Sequence, residues 1–135
     1  MDIGTEKADR IVNVGSATNL YSLYSTAATL MGRNTRSIRL GLAFLESGNC
    51  NAKDCEKTAR QLSTIADALA EHAPADAVWD MEHPNIVAPW VGNLAPDVMN
   101  CADLYTTSEG NLLMTELVSL LQFAASTKQS VIVLG

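Results

Sequence analysis

Apolar residues fall into two periods along this chain, and the changes between them mark out its elements. Residues 10–15 read RIVNVG, a brief apolar–polar alternation closed by a glycine, as in a short strand. Leu20, Leu23, Tyr24, Ala27, Ala28 and Met31 then recur every three or four residues and predict a first helix, capped by Thr18 or Asn19 and ended by Gly32. Ile38, Leu42 and Leu45, with Phe44 alongside, predict a shorter second helix that stops at Gly48-Asn49. The third pattern is the clearest. Ala52, Cys55, Ala59, Leu62, Ala66, Leu69 and Ala73 alternate strictly by three and four, with Ile65 beside them. Asn51 is placed to cap this helix, Asp54 lies in its first turn, and Glu56 and Arg60 stand four apart in the favourable order. Its alanine-rich stripe suits a close neighbour, either another helix of the chain or a second copy in a homodimer.

Thr107-Ser108-Glu109-Gly110 reads as the start of a fourth helix, followed by Leu112, Leu113, Met114, Leu117, Val118, Leu120, Leu121 and Phe123. Its polar residues form one thin line, so this helix is expected to be covered over most of its circumference and to be central. The closing residues 130–135, SVIVLG, predict a β-branched strand buried in a sheet. Further short strands are expected at residues 77–81 and 104–107. The predicted fold class is α/β (α+β): a two-layer sandwich of a small β-sheet with three to four α-helices packed on it, residues 1–135 forming one domain.

Residues 74–110, between the third and fourth helices, break the periodicity. They hold all four prolines, both tryptophans and six carboxylates, and neither lysine nor arginine. With so few aromatics in the chain, at least one tryptophan is expected in the core, although Trp is also enriched at binding hot spots. Charge extends the anomaly. Residues 1–60 carry eight Lys or Arg against six Asp or Glu, whereas residues 61–127 carry nine acids and no base. A field of one sign repels nucleic acid and speeds encounter with cationic partners. The isoelectric point near 4.7 is the reverse of a nucleic-acid-binding footprint, so no direct nucleic-acid contact is expected.

The search for catalytic chemistry is mostly negative. The chain has no Gly-rich phosphate loop, GxSxG, HExxH or CxxC. One enzymatic or metal-binding alternative stands, on Asp80, Glu82 and His83, where two carboxylates and an imidazole fall within four residues. In an extended segment, however, Glu82 and His83 would face opposite ways. His72 falls near a helix C-terminus, where an imidazolium is mildly favoured. Arg33, Arg36 and Arg39 form a weak candidate for an anion site, lacking a glycine cradle. No cofactor or metal is called for. Cys50, Cys55 and Cys101 are odd in number and unpaired by motif, which suits free thiols in a reducing compartment, and Cys55 lies on the predicted buried stripe. The amino-terminal residues lack a signal peptide's basic and apolar regions, and no apolar run approaches the ~20 residues that cross a bilayer. A cytoplasmic location without membrane contact is the expectation.

Several segments together resemble the immunity protein 70 family of bacterial polymorphic-toxin systems, which includes immunity proteins of contact-dependent growth inhibition. They are residues 15–29, Val78-Trp79-Asp80-Met81-Glu82, Ala88-Pro89-Trp90, Asn93-Leu94, Asn100, residues 102–110 and the helix that follows. Their order spans nearly the whole chain. Val91 stands between Trp90 and Gly92, where the family more often has the glycine directly after the tryptophan. The resemblance implies a protein without catalysis of its own that binds and neutralises one cognate toxin C-terminal domain, commonly a basic nuclease, by covering its active site or substrate cleft. The charge pattern fits such a partner, since a nuclease needs a basic cleft for phosphates. The candidate toxin contacts are Asp67 and Glu71 on the third helix and Asp76, Asp80, Glu82, Asp97 and Asp103 in the stretch after it.

Overall fold

The computed structural model describes residues 1–135. Three strands form one antiparallel sheet: β1 (Asp2–Thr5), β2 (Ile11–Asn13) and β3 (Val131–Val133), in the order β2-β1-β3. The strands predicted at residues 10–15 and 130–135 are present. The middle one, β1, is an addition that pairs with both. Its pattern is hard to hear in sequence because only Ile3 is a large apolar residue, in a four-residue strand. Ile3 lies opposite Val12 on one side and Val133 on the other, and is fully buried.

Four helices complete the α+β fold: α1 (Ala17–Met31), α2 (Arg39–Ser47), α3 (Cys55–Leu69) and α4 (Leu113–Ser126). Helix α4 touches all three strands and packs along α3, consistent with its broad apolar face. Helix α3 in turn meets α2, and its stripe of Cys55, Ala59, Leu62, Ile65 and Leu69 is buried within the chain. At the α2–α3 crossing Gly41 lets the helices approach. A Cβ there would stand 2.9 Å from Ile65 Cδ1, and the Gly41 amide donates to Gln61 Oε1 at 2.9 Å.

Helix boundaries shift where caps differ from expectation. Ser16, rather than Thr18 or Asn19, caps α1, its hydroxyl accepting the Asn19 amide at 3.1 Å. Residues Ala52–Asp54 form a 3-10 turn before α3, so Asn51 makes no side-chain cap, and α3 ends at Leu69 rather than Ala73. Glu56 and Arg60 pair at 3.1 Å as predicted. The fourth helix begins at Leu113, later than Thr107. The Thr107 amide instead bonds the Asn111 carbonyl at 2.8 Å, and Gly110 turns the chain at φ +87°. The Thr107 hydroxyl accepts both the Glu109 and Asn111 amides, so the element reads as a turn because its hydroxyl satisfies the local backbone.

The strands expected at residues 77–81 and 104–107 do not form. Residues Cys101–Leu104 are a 3-10 helix capped by Asn100, and residues 104–107 supply only an isolated bridge, Thr106 to Leu112. Residues 77–100 contain neither helix nor strand. No helix of the chain is long and apolar enough to cross a membrane.

Candidate functional site

An irregular segment must place its backbone polar groups somewhere, and residues 78–81 place theirs on α1. Ser22, Ser25 and Thr26 are buried hydroxyls on an otherwise apolar helix face. Thr26 Oγ1 accepts the Val78 amide at 2.8 Å, Ser22 Oγ donates to the Val78 carbonyl at 2.8 Å, and Ser25 Oγ accepts the Met81 amide at 3.2 Å. Side-chain hydroxyls therefore do here what a neighbouring strand would otherwise do.

Tyr105 is the hub of the same cluster. It is fully buried, with its phenol 2.7 Å from Thr26 Oγ1 and 2.9 Å from Ser22 Oγ. Burial pushes its pKa up. The ring of Trp90 meets Tyr105 edge-on at 5.7 Å, and Trp79 meets Trp90 in the same manner at 5.3 Å. Trp90 packs against the core while remaining half-buried, and Trp79 is half-buried beyond it, so neither is a fully buried core residue. The two ends of the loop are clipped together where the Cys101 amide donates to the His72 carbonyl at 2.9 Å and the Cys101 thiol to the Ala73 carbonyl at 3.1 Å.

Beyond these anchors the loop is held by short-range bonds. Backbone links within it join His83 to Asp80, Ile86 to His83, Val91 to Ala88 and Asn93 to Trp90. The turns leave large apolar side chains outside. Val87, Val91 and Met99 are 69%, 59% and 74% exposed, and Ile86 and Leu94 are also exposed. All but Met99 line a cleft of about 550 Å³ that is mainly apolar and also includes Trp79 and Trp90. Sequence reasoning passed over the aliphatic members of this group. Their one signal is large apolar residues between prolines that share no helical or strand period.

The seven predicted acids do not gather at one point. Asp67 and Glu71 are exposed, on α3 and just beyond its end. Asp76 ends the 3-10 turn Pro74–Asp76, with Oδ2 3.6 Å from His72 Nδ1. Asp80 is half-buried and serves the loop itself. Its Oδ1 accepts the Glu82 amide at 2.9 Å and its Oδ2 lies 3.2 Å from His83 Nδ1. Burial works against its charge, but the amide and imidazole bonds outweigh that and lower its pKa. Glu82 is exposed. Together with burial, which is the largest cause, Glu82 and Asp80 raise the pKa of Tyr21 on α1. Asp97 is exposed, and Asp103 Oδ2 accepts the Met99 amide at 3.0 Å. Pro74, Ala75, Ala77, Trp79 and Leu94 line the cleft, and Asp76 and Asp80 are chain neighbours of these residues, although no carboxylate lines the cleft itself.

As for the alternative chemistry, Asp80 and His83 come together on a surface turn, without a side-chain bond from Glu82 to either. No group of three His, Cys, Asp or Glu side chains is arranged to hold a metal ion. Cys55 is buried, with its pKa pushed up to about 12 by burial first and then by Cys50, and burial pushes the Cys101 thiol up to about 11. The bases occupy other ground. Arg36, Arg39 and Lys57 border an open polar groove between α2 and α3. Arg10 reaches α4, donating to Ser119 Oγ at 2.7 Å and lying over the Phe123 ring at 5.3 Å.

In comparisons with known proteins, the family described as immunity protein 70 matches residues 5–133. No curated protein and no solved structure matches the chain.

Proposed function

The chain belongs to the immunity protein 70 family, whose name implies a cognate toxin as partner, and from that premise we propose that residues 74–103 form its toxin-binding surface. One observation carries the reading. Residues 77–100, a long loop without helix or strand, present large apolar side chains among carboxylates, in a half of the chain without a single lysine or arginine. Loops of this length inside a compact fold are uncommon, and where they are not linkers or disordered they usually carry function. Exposed apolar groups costly to leave in water suit a surface that another protein covers.

The partner is a basic toxin domain, a nuclease of a contact-dependent inhibition system, and the chain acts without catalysis of its own. Asp76, Asp80, Glu82, Asp97 and Asp103, with Asp67 and Glu71 beside them, would meet the lysines and arginines that otherwise hold phosphates. Docking there blocks the substrate cleft. The charges act chiefly on the rate of encounter, whereas retention needs a few desolvated anchors. Neutralisation takes place in the cytoplasm, where the three thiols stay reduced.

Co-expression tests the function. The reading frame immediately upstream of this chain is expected to encode the C-terminal domain of the toxin; a cell producing that domain is expected to survive when the chain is also produced, and the two are expected to co-purify. Continued killing, with no complex recovered, refutes the reading.

A further inference from the structure

We propose that the cleft between Trp79, Trp90, Ile86, Val87 and Leu94 receives one large apolar side chain of the partner toxin domain, flanked on that domain by lysine or arginine. The inference rests on the toxin-binding reading above and adds the chemistry of its central contact.

Shape and lining come first. The cleft, about 550 Å³, has the size and mostly apolar lining of a ligand-receiving pocket and is ample for one aromatic or long aliphatic side chain. Its tryptophan wall is preorganised. Trp79 leans on Trp90, Trp90 on Tyr105, and Tyr105 is fixed through its phenol to Ser22 and Thr26 of α1. A wall held this way loses little freedom on binding, which favours affinity. Five of the largest exposed apolar side chains of the molecule, Ile86, Val87, Val91, Leu94 and Met99, cluster in this one loop.

Charge selects the occupant. Asp76 and Asp80 are next in the chain to residues that line the cleft, and residues 61–127 offer no lysine or arginine to balance them. A second copy meeting this face with the same face would bring like-charged segments together, at a cost in electrostatic free energy. An anionic lipid surface is disfavoured for the same reason. A cationic protein surface with an apolar centre suits both the apolar lining and the acids in the neighbouring chain. That arrangement, a desolvated anchor within a ring that excludes water, is where binding energy concentrates.

The only two tryptophans both line the cleft, which gives a direct probe. The full chain labelled with 5-fluorotryptophan is titrated with the toxin C-terminal domain encoded immediately upstream, and its two fluorine resonances are followed. Both are expected to shift on binding. The double substitution Val87→Ser with Leu94→Ser is expected to weaken binding about tenfold or more, mainly through faster dissociation. Two unmoved resonances in a complex that forms would overturn the inference and leave the toxin-binding reading standing, and they do so without any variant. Unchanged affinity in a folded double variant would count against it equally. Resonances that shift with the chain's own concentration alone would assign the cleft to a second copy and overturn it as well. If the wild-type chain fails to bind the domain at all, the toxin-binding reading itself fails and takes this inference with it.

Discussion

Tyr105 joins the loop to the helical core through one oxygen and one ring face. Its phenol contacts Ser22 and Thr26, and its ring carries Trp90. Tyr105→Phe keeps the ring stack and removes the hydroxyl. The expected loss is about 1 kcal/mol, because Ser22 and Thr26 retain Val78 as a partner. Tyr105→Ala removes the ring as well and should cost roughly 3–5 kcal/mol, the range for emptying a buried aromatic site. Denaturant melts of the two variants check both figures. At Cys101 and Cys55 burial is the main cause of raised thiol pKa values, about 11 and about 12. Native protein at neutral pH should therefore expose one reactive thiol, the half-buried Cys50, to a disulfide reagent, and all three after unfolding. The sign of the pH effect follows. Above the ordinary thiol value of 9.0 the unfolded chain loses protons that buried Cys101 retains, so stability contributed by that burial is lost as pH rises from about 9 through about 11. A melt series across that window should show it; Cys55 contributes with the same sign, so Cys101→Ala should reduce the loss between about pH 9 and 11 without abolishing it.

At the scale of elements, the loop is fastened by α1 rather than by a sheet. Thr26→Val removes the acceptor for the Val78 amide at 2.8 Å while leaving helix shape nearly unchanged. That amide then lacks its partner, a loss of roughly 1–3 kcal/mol concentrated in the loop attachment. Hydrogen exchange at Val78 and Met81 should accelerate well before exchange in α3 does. Uniform acceleration throughout the chain would deny this attachment its local character. The same bonds explain what could and could not be read in advance. The helices were legible because Leu62, Ile65 and Leu69, or Leu113, Leu117 and Leu121, repeat at helical spacing on buried faces. Residues 77–81 also carry strand-forming side chains, yet the Val78 amide and carbonyl and the Met81 amide are satisfied by three hydroxyls some fifty residues away. No local pattern encodes such a partnership. The acids of the candidate surface were visible as charge, but Asp80 and Asp103 turned out to spend part of theirs on loop amides. The exposed valines and Leu94 were passed over because apolar residues between prolines have no period to announce which way they face.

For the molecule as a whole, the charges divide between regions. Arg36, Arg39 and Lys57 gather at α2 and the start of α3, whereas everything from residue 61 to 127 is acidic or neutral. Association with a basic partner should consequently be fast at low salt and slow steeply as ionic strength rises, since the Debye length shrinks to ~8 Å at physiological salt. Dissociation, governed by the apolar contacts, should change little. Stopped-flow measurements separate the two rates, and an association rate indifferent to salt would remove charge steering from the account. We propose residues 74–103 as the face a toxin covers. Hydrogen–deuterium exchange of the chain with and without the upstream-encoded toxin domain tests it most directly. Protection is expected to concentrate in residues 74–103, with the α2 surface around Arg36 and Arg39 unchanged. Protection over that basic surface, with residues 74–103 exchanging as in the free protein, would contradict it.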